Sequence, residues 1–417
     1  MSGEASGAAR GPVPGRGAPV RPGLPGPGTA GDAESASRPR RLAISRLLER
    51  PVLDAAAIDA FIASHTFPIT EGTSTTFVFR GDADRVLLRH WVMGLPSSVP
   101  LHRIGRSDLW FLTMELPDRA RIEYKFEVYA HGDVALVEDP LNPGRARDPF
   151  GTNSVLHTTG HVRPAWTEPD AESRPGTLEE IEFPSRAFED TRAVTLYLPA
   201  RFRRTRRYPL LVVHDGGDFL QYAEMKTVLD NLIHRLDIAA MIVAFTQPVK
   251  RLEEYADDPR HRAFITGELV PALESRWPLV GRPAGRGLMG ASFGAVACFA
   301  TAAADPMFYG RLLLLSGSFA FTDIGDHNRH PVFDPVVAFM NRWRSDPVRI
   351  TERVFVSSGT FESLIYENRS LVPLLQATGM EVRYVEARDG HNWENWRDRL
   401  REGLSWLFPG PLWMVYE

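Results

Sequence analysis

The chain predicts an α/β fold in two parts, a small β-sandwich followed by a mostly parallel sheet covered by helices. From about residue 177 onward, short and nearly continuous apolar runs alternate with helical patterns, as strands buried on both faces require. Between residues 75 and 128 the runs are instead short, β-type and separated by turn residues, the pattern of a sandwich. One stretch of the second part stands out. Gly290-Ala291-Ser292-Phe293-Gly294 reads G-x-S-x-G, between a strand candidate and a helix candidate.

In chain order, residues 1–41 are Gly, Pro, Ala, Ser and Arg with almost no large apolar side chains. Such a segment buries too little surface to offset its ordering entropy, so it predicts a disordered tail. Its basic cluster, Arg38-Pro39-Arg40-Arg41, reads as solvated. Residues 42–65 carry apolar positions at helical spacing and predict two short helices, with Asp54 placed to cap the second. Strands follow at 75–79, 85–89, 110–114 and 122–128, broken by Gly81-Asp82 and Pro117-Asp118. Asp139-Pro140-Leu141-Asn142-Pro143 predicts a rigid exit from this unit, and the first domain is set at 42–166. Trp91 and Trp110 are read as packing residues in preference to sugar-stacking ones.

A linker containing proline and acidic residues is set at 167–179 and the second domain at 180–417. Its strands are predicted at 193–198, 210–214, 240–245, 287–289, 312–315, 354–356 and 381–385. Helical patterns cover 225–236, 264–275, 295–304, 336–343, 362–377 and 393–407. No internal repeat is visible.

Bulk properties narrow the function. A formal net charge of −4 argues against a general nucleic-acid binder and leaves a small-molecule partner of either sign open. Cys298 is the single cysteine, which excludes an intrachain disulfide and reads as a core thiol. No stretch is long and apolar enough to span a membrane, and the first residues lack a secretory core, so a cytoplasmic protein is expected. His327 and His330 lack the spacing of a closed metal site, and neither metal nor cofactor is expected. Oligomeric state is left open.

In a parallel sheet, function collects at the carboxyl ends of the strands. Ser292 follows one strand candidate, Glu362 a second and His391 a third. The order Ser, acid, His is that of an α/β-hydrolase domain. A serine alcohol is a poor nucleophile unless an imidazole accepts its proton, and the imidazole needs a carboxylate to fix its tautomer. Each has a plainer reading: Glu362 as charge complementarity at a helix start, His391 as a surface histidine. Asp389 is a poorer candidate acid, lying only two residues from His391. The oxyanion hole would take Phe293 N–H and, from the glycine-rich loop after the 210–214 strand, Gly217 N–H. Asp215 would orient that loop, contact substrate or serve as a turn residue.

With these residues in place, the sequence resembles the enterochelin (enterobactin) esterase family, within the larger esterase D-like group, over about residues 67–408. The resemblance rests on His214-Asp215-Gly216-Gly217, Gly290–Gly294, Gly359-Thr360-Phe361-Glu362 and, most specifically, Gly390-His391-Asn392-Trp393-Glu394-Asn395-Trp396-Arg397. It implies a sandwich packed on an α/β-hydrolase domain, with Ser292 as nucleophile, His391 as base and Glu362 as acid. It also implies hydrolysis of catecholate siderophore esters in the cytoplasm. Arg251 would be a cleft cation for an anionic catecholate or a salt-bridge partner of Glu254, and Trp393 a substrate contact. Three alternatives stay open: a polysaccharide-associated feruloyl or acetyl esterase, acyl transfer to an acceptor other than water, and a binding scaffold without activity. The intact Ser292, Glu362 and His391 argue against the last.

Overall fold

Asp54 caps the second N-terminal helix as its position requires: its side chain accepts the Ala57 N–H at 2.8 Å, and Ala55–Ala63 is helical after Ala43–Leu48. The computed structural model describes residues 41–50, 53–322 and 330–411. The predicted tail, apart from Arg41, lies outside the described residues, as does His327. From Ala43 onward the described chain belongs to one compact unit.

Ten antiparallel strands come first. They are β1 (Ile69–Glu71), β2 (Ser74–Arg80), β3 (Arg85–His90), β4 (Ser98–Pro100), β5 (His102–Arg103), β6 (Leu109–Glu115), β7 (Arg121–Ala130), β8 (Asp133–Val137), β9 (Arg145–Asp148) and β10 (Gly151–His157). They form one sheet ordered β1-β2-β6-β5 and another ordered β4-β3-β7-β10-β9, with β8 paired to β7. Alternation sets the inner faces, as in β3, where Val86, Leu88 and His90 are buried. Phe77 and Phe79 of one sheet meet Tyr124 and Phe126 of the other edge to face, at 5.0 and 5.5 Å between centroids. This shared core makes the predicted sandwich.

The segment Asp139–Pro143 does not close this unit. Asp139 is buried and accepts the Tyr124 hydroxyl at 2.6 Å, and Asn142 donates to the Val155 carbonyl at 2.8 Å. The chain then returns through β9 and β10 to extend the second sheet.

The third sheet contains β11 (Thr177–Ser185), β12 (Asp190–Leu198), β13 (Leu210–Val213), β14 (Ile242–Thr246), β15 (Arg286–Ala291), β16 (Arg311–Leu315), β17 (Arg353–Gly359) and β18 (Glu381–Ala387). Its order is β11-β12-β14-β13-β15-β16-β17-β18. β12 runs antiparallel to both neighbours, and the other pairs are parallel. This is an α/β-hydrolase sheet with helices on both faces. Leu312, Leu314, Val354 and Val356 pack on one helical layer, while Leu313, Leu315 and Phe355 pack on the other. Burial on both faces is why these strands read as unbroken apolar runs.

Several predicted boundaries shift. β11 starts inside the stretch assigned to a linker, because an exposed edge strand needs no apolar signature. The helix predicted from 362 begins at Ile365, which leaves Glu362 in the preceding turn. The helical pattern at 264–275 divides into a π-helical segment, Ala263–Leu269, and an α-helix, Val270–Arg276. Pro271, which has no N–H to donate, sits at the start of that α-helix. No helix among the described residues is long and apolar enough to cross a membrane.

Candidate active site

Ser292 lies between β15 and the helix Phe293–Ala304, at φ 57° and ψ −121°. A non-glycine residue adopts that backbone only when its surroundings impose it. They do so here through close approach: a Cβ on Gly290 would lie 2.4 Å from the Gly294 carbonyl. Ser292 stays partly exposed, and its Oγ is 3.2 Å from Ser318 Oγ. Phe293 N–H, first in the helix, meets no acceptor among the described residues.

Glu362 follows β17 and is buried. Its Oε1 accepts the Ser316 hydroxyl at 2.7 Å and the Gly359 N–H at 2.5 Å, and its Oε2 contacts His391 Nδ1. Trp396 donates its indole N–H to Ser316 Oγ at 3.0 Å and packs edge to face on His391, 5.0 Å between centroids. The two loops are joined along the backbone. Thr360 and Phe361 donate to the carbonyls of Ala387 and Asp389 at 2.7 and 3.1 Å. Gly359 permits this contact, since a Cβ there would lie 2.3 Å from the Asp389 carbonyl oxygen. Asp389 itself faces away from the imidazole, toward Asn392, the Gly390 N–H and Arg121.

Ser292 and His391 line one cavity of about 640 Å³, within the range of small-molecule sites. Trp393 and Arg251 contribute to its wall. The sandwich contributes Trp91, Lys125, Arg147 and Phe150 to the same lining.

Other predicted residues fall elsewhere. Gly217 N–H already donates to Gln247 Oε1 at 3.1 Å. Asp215 is buried with a left-handed backbone at φ 54°, and it takes Arg251 in a two-pronged ion pair at 2.8 and 2.7 Å. The Arg251–Glu254 salt bridge is therefore corrected. Glu254 is buried against Arg192, at 2.8 Å, and accepts the Val249 and Lys250 N–H groups. Trp110 is core, but Trp91 is half exposed at the cavity, so its packing assignment fails.

Cys298 is a buried thiol with Sγ 3.2 Å from His214 Nδ1, and His214 Nε2 is 2.9 Å from His261 Nε2. Burial pushes His214 down to about 4 and His261 well below the ordinary imidazole value. His330 lies at the start of a short 3-10 turn, where its Nδ1 accepts the Val332 N–H. Among the described residues no group of three His, Cys, Asp or Glu side chains converges on a metal position.

Sequence reasoning missed Ser316, Ser318 and Gln247. Ser316 and Ser318 directly follow β16, so the strand-end rule that found Ser292 also reaches them. Gln247 likewise follows β14.

Comparison with known proteins agrees with this architecture. A family model described as "Putative esterase" matches residues 185–407, more than half of the chain. The iron(III) enterobactin esterase of Escherichia coli (strain K12) is 23% identical over 328 residues, covering 73% of this chain and 80% of that protein. An uncharacterised Bacillus subtilis (strain 168) protein is 22% identical over 242 residues, 55% of this chain and 97% of its own length. Among solved structures, the ferric enterobactin esterase of Salmonella typhimurium superposes with a TM-score of 0.69 at 20% identity, over 84% of this chain and 98% of that one. The Shigella flexneri enterobactin esterase determined in the presence of enterobactin gives 0.68 at 21%, over 84% and 97%. The chain thus belongs to the esterase family whose model spans β12 to β18 of its third sheet, and it is a carboxylic ester hydrolase.

Proposed function

We propose that this hydrolase works through an acyl-enzyme on Ser292, with His391 as general base and Glu362 as its orienting acid, and that its substrate is a catecholate siderophore ester. The observation that carries the mechanism is the Glu362–His391 Nδ1 contact beside a cavity lined by both His391 and Ser292. With Nδ1–H directed at the carboxylate, Nε2 is the basic nitrogen. Nε2 takes the Ser292 proton as Oγ attacks the ester carbon, then delivers it to the departing alcohol. Water, activated by the same nitrogen, releases the acid. Phe293 N–H would receive the oxyanion, joined by Gly217 N–H once Gln247 yields it.

The substrate class rests on the cavity wall. Trp91, Trp393 and Phe150 bring aromatic surface and Lys125 and Arg147 bring cations, while Arg251 is paired with Asp215 and the acids Glu123, Asp148, Asp218 and Glu394 share the lining. A catecholate ester is both anionic and aromatic, and the named E. coli and S. typhimurium relatives are enterobactin esterases. On this reading residues 42–166 form a domain that supplies one wall, residues 180–417 carry the chemistry, and the enzyme acts in the cytoplasm.

A fluorophosphonate probe should label the protein, and Ser292→Ala should abolish labelling; labelling that survives moves the nucleophile elsewhere. Ferric enterobactin should be hydrolysed in preference to a feruloylated sugar measured in parallel. The reverse preference would overturn the siderophore assignment in favour of a polysaccharide-linked ester.

A further inference from the structure

We propose that Arg121, a sandwich residue, is a positioning residue for the His391 loop, which makes the sandwich part of the catalytic apparatus as well as a wall of the cavity. The inference rests on the reading of His391 as base.

Arg121 opens β7, and its side chain is 1% exposed. Its guanidinium reaches the histidine loop from across the sheet boundary. Nη1 donates to Asn392 Oδ1 at 3.0 Å and pairs with Asp389 Oδ1 at 3.3 Å, and Nε donates to Glu394 Oε2 at 2.8 Å. Nη2 is held from its own strand by Glu123 at 2.9 Å, and its backbone N–H donates to the Arg388 carbonyl at 3.0 Å. The contacts at 388, 389, 392 and 394 bracket His391 on both sides. Asn392 Oδ1 also accepts the Asn395 N–H at 2.9 Å, so the same fork secures the start of the helix Trp393–Leu407.

The planar, multi-donor shape of arginine suits this task, and lysine, a point charge, could not serve these acceptors together. The charge balance agrees. Burial works against the guanidinium, but Asp389, Glu123 and Glu394 outweigh it and raise its proton affinity. Burial pushes Asp389 up to about 6 even beside Arg121, so without the cation its carboxylate would keep only the Gly390 N–H and the Asn392 amide and would be driven toward its protonated form, altering the loop's hydrogen bonds. A second tie runs to the acid loop: Met93 N–H donates to the Phe361 carbonyl at 2.9 Å, next to Glu362. Arg121 borders the cavity, but its side chain is buried and its donors are directed at Glu123, Asp389, Asn392 and Glu394, so it acts on the loop and not on substrate.

The test is Arg121→Met in the full chain, assayed with a neutral p-nitrophenyl ester and a neutral fluorophosphonate. A loop displaced by about 1 Å should lower kcat on the order of 100-fold. KM should stay near the wild-type value, and the labelling rate constant at Ser292 should fall by the same factor as kcat. Arg121→Lys should restore only part of the loss. Unchanged labelling and kcat would overturn the proposal, as would a rise in KM alone, the mark of a substrate-binding cation. A kcat that returns to wild type once corrected for the fraction of protein that labels would make Arg121 merely structural and also overturn it. If Arg121→Met does not fold, Glu394→Gln should show a smaller loss in the same two readouts, and wild-type kinetics there overturn the proposal. A wild-type enzyme that fails to label at Ser292 would sink the mechanism itself, a distinct result.

Discussion

Replacing Glu362 with glutamine tests the proposed base through its tautomer. Oε1 of the carboxylate accepts from two donors, the Gly359 N–H at 2.5 Å and the Ser316 hydroxyl at 2.7 Å. A glutamine must keep its carbonyl oxygen there, because the Gly359 N–H has no way to become an acceptor. Turning the amide over would leave that buried N–H unpaired at a cost of about 1–3 kcal/mol. The glutamine NH2 is thereby directed at His391 Nδ1, which must accept, so the ring proton moves to Nε2. A protonated Nε2 cannot take the Ser292 proton. The same logic in serine proteases costs about 10⁴ in kcat, close to 5.4 kcal/mol of barrier at 1.36 kcal/mol per decade. The assay is kcat on a p-nitrophenyl ester at pH 7, with the thermal midpoint recorded for both proteins. A loss under tenfold, with the fold intact, would mean that Glu362 does not set the tautomer and that the base lies elsewhere.

Ser292→Gly should abolish activity yet stabilise the protein. Relief of a positive-φ residue is worth about 1–3 kcal/mol, against roughly 0.5–1 kcal/mol of added chain freedom for glycine, so a higher denaturation midpoint is expected; a lower one would mean the elbow is unstrained. His214, held near 4 by burial when folded and near 6.5 when unfolded, contributes stability that is complete above pH 6.5 and is lost as pH falls toward 4. By pH 5 the loss should be roughly 2 kcal/mol from this residue at 1.36 kcal/mol per unit, with His261 adding in the same direction. Urea midpoints that stay flat between pH 7 and 5 would contradict that account. Gln247→Ala frees the Gly217 amide, and fluorophosphonate labelling should accelerate about two- to tenfold, the worth of one hydrogen bond no longer broken during attack. Slower labelling would assign that amide a structural role.

How much of this could be read beforehand depended on the range of the interaction involved. Leu312–Leu315 announced a strand because both of its faces are buried, whereas Thr177–Glu182 is a solvated edge whose charges hide it. Ser292, Glu362 and His391 were found because each follows a strand, a relation local in sequence and fixed by topology. Side-chain pairing obeys no such rule. Glu254, three residues from Arg251, is the nearby partner that the sequence offers as an alternative to a substrate contact. The ion pair instead goes to Asp215, 36 residues away, where the two carboxylate oxygens meet the guanidinium fork, while Arg192 from β12 takes Glu254. Arg121 is the extreme case. In the sequence it is one more polar residue before a β-type run, and its partner Asp389 lies 268 residues downstream. Periodicity reports which face of an element is buried, but not which buried charge another sheet will deliver to it. A buried cation whose local partner, Glu123, takes only one of its nitrogens has to be answered from elsewhere in the fold, and here the remaining acceptors flank the histidine on which the proposed chemistry depends.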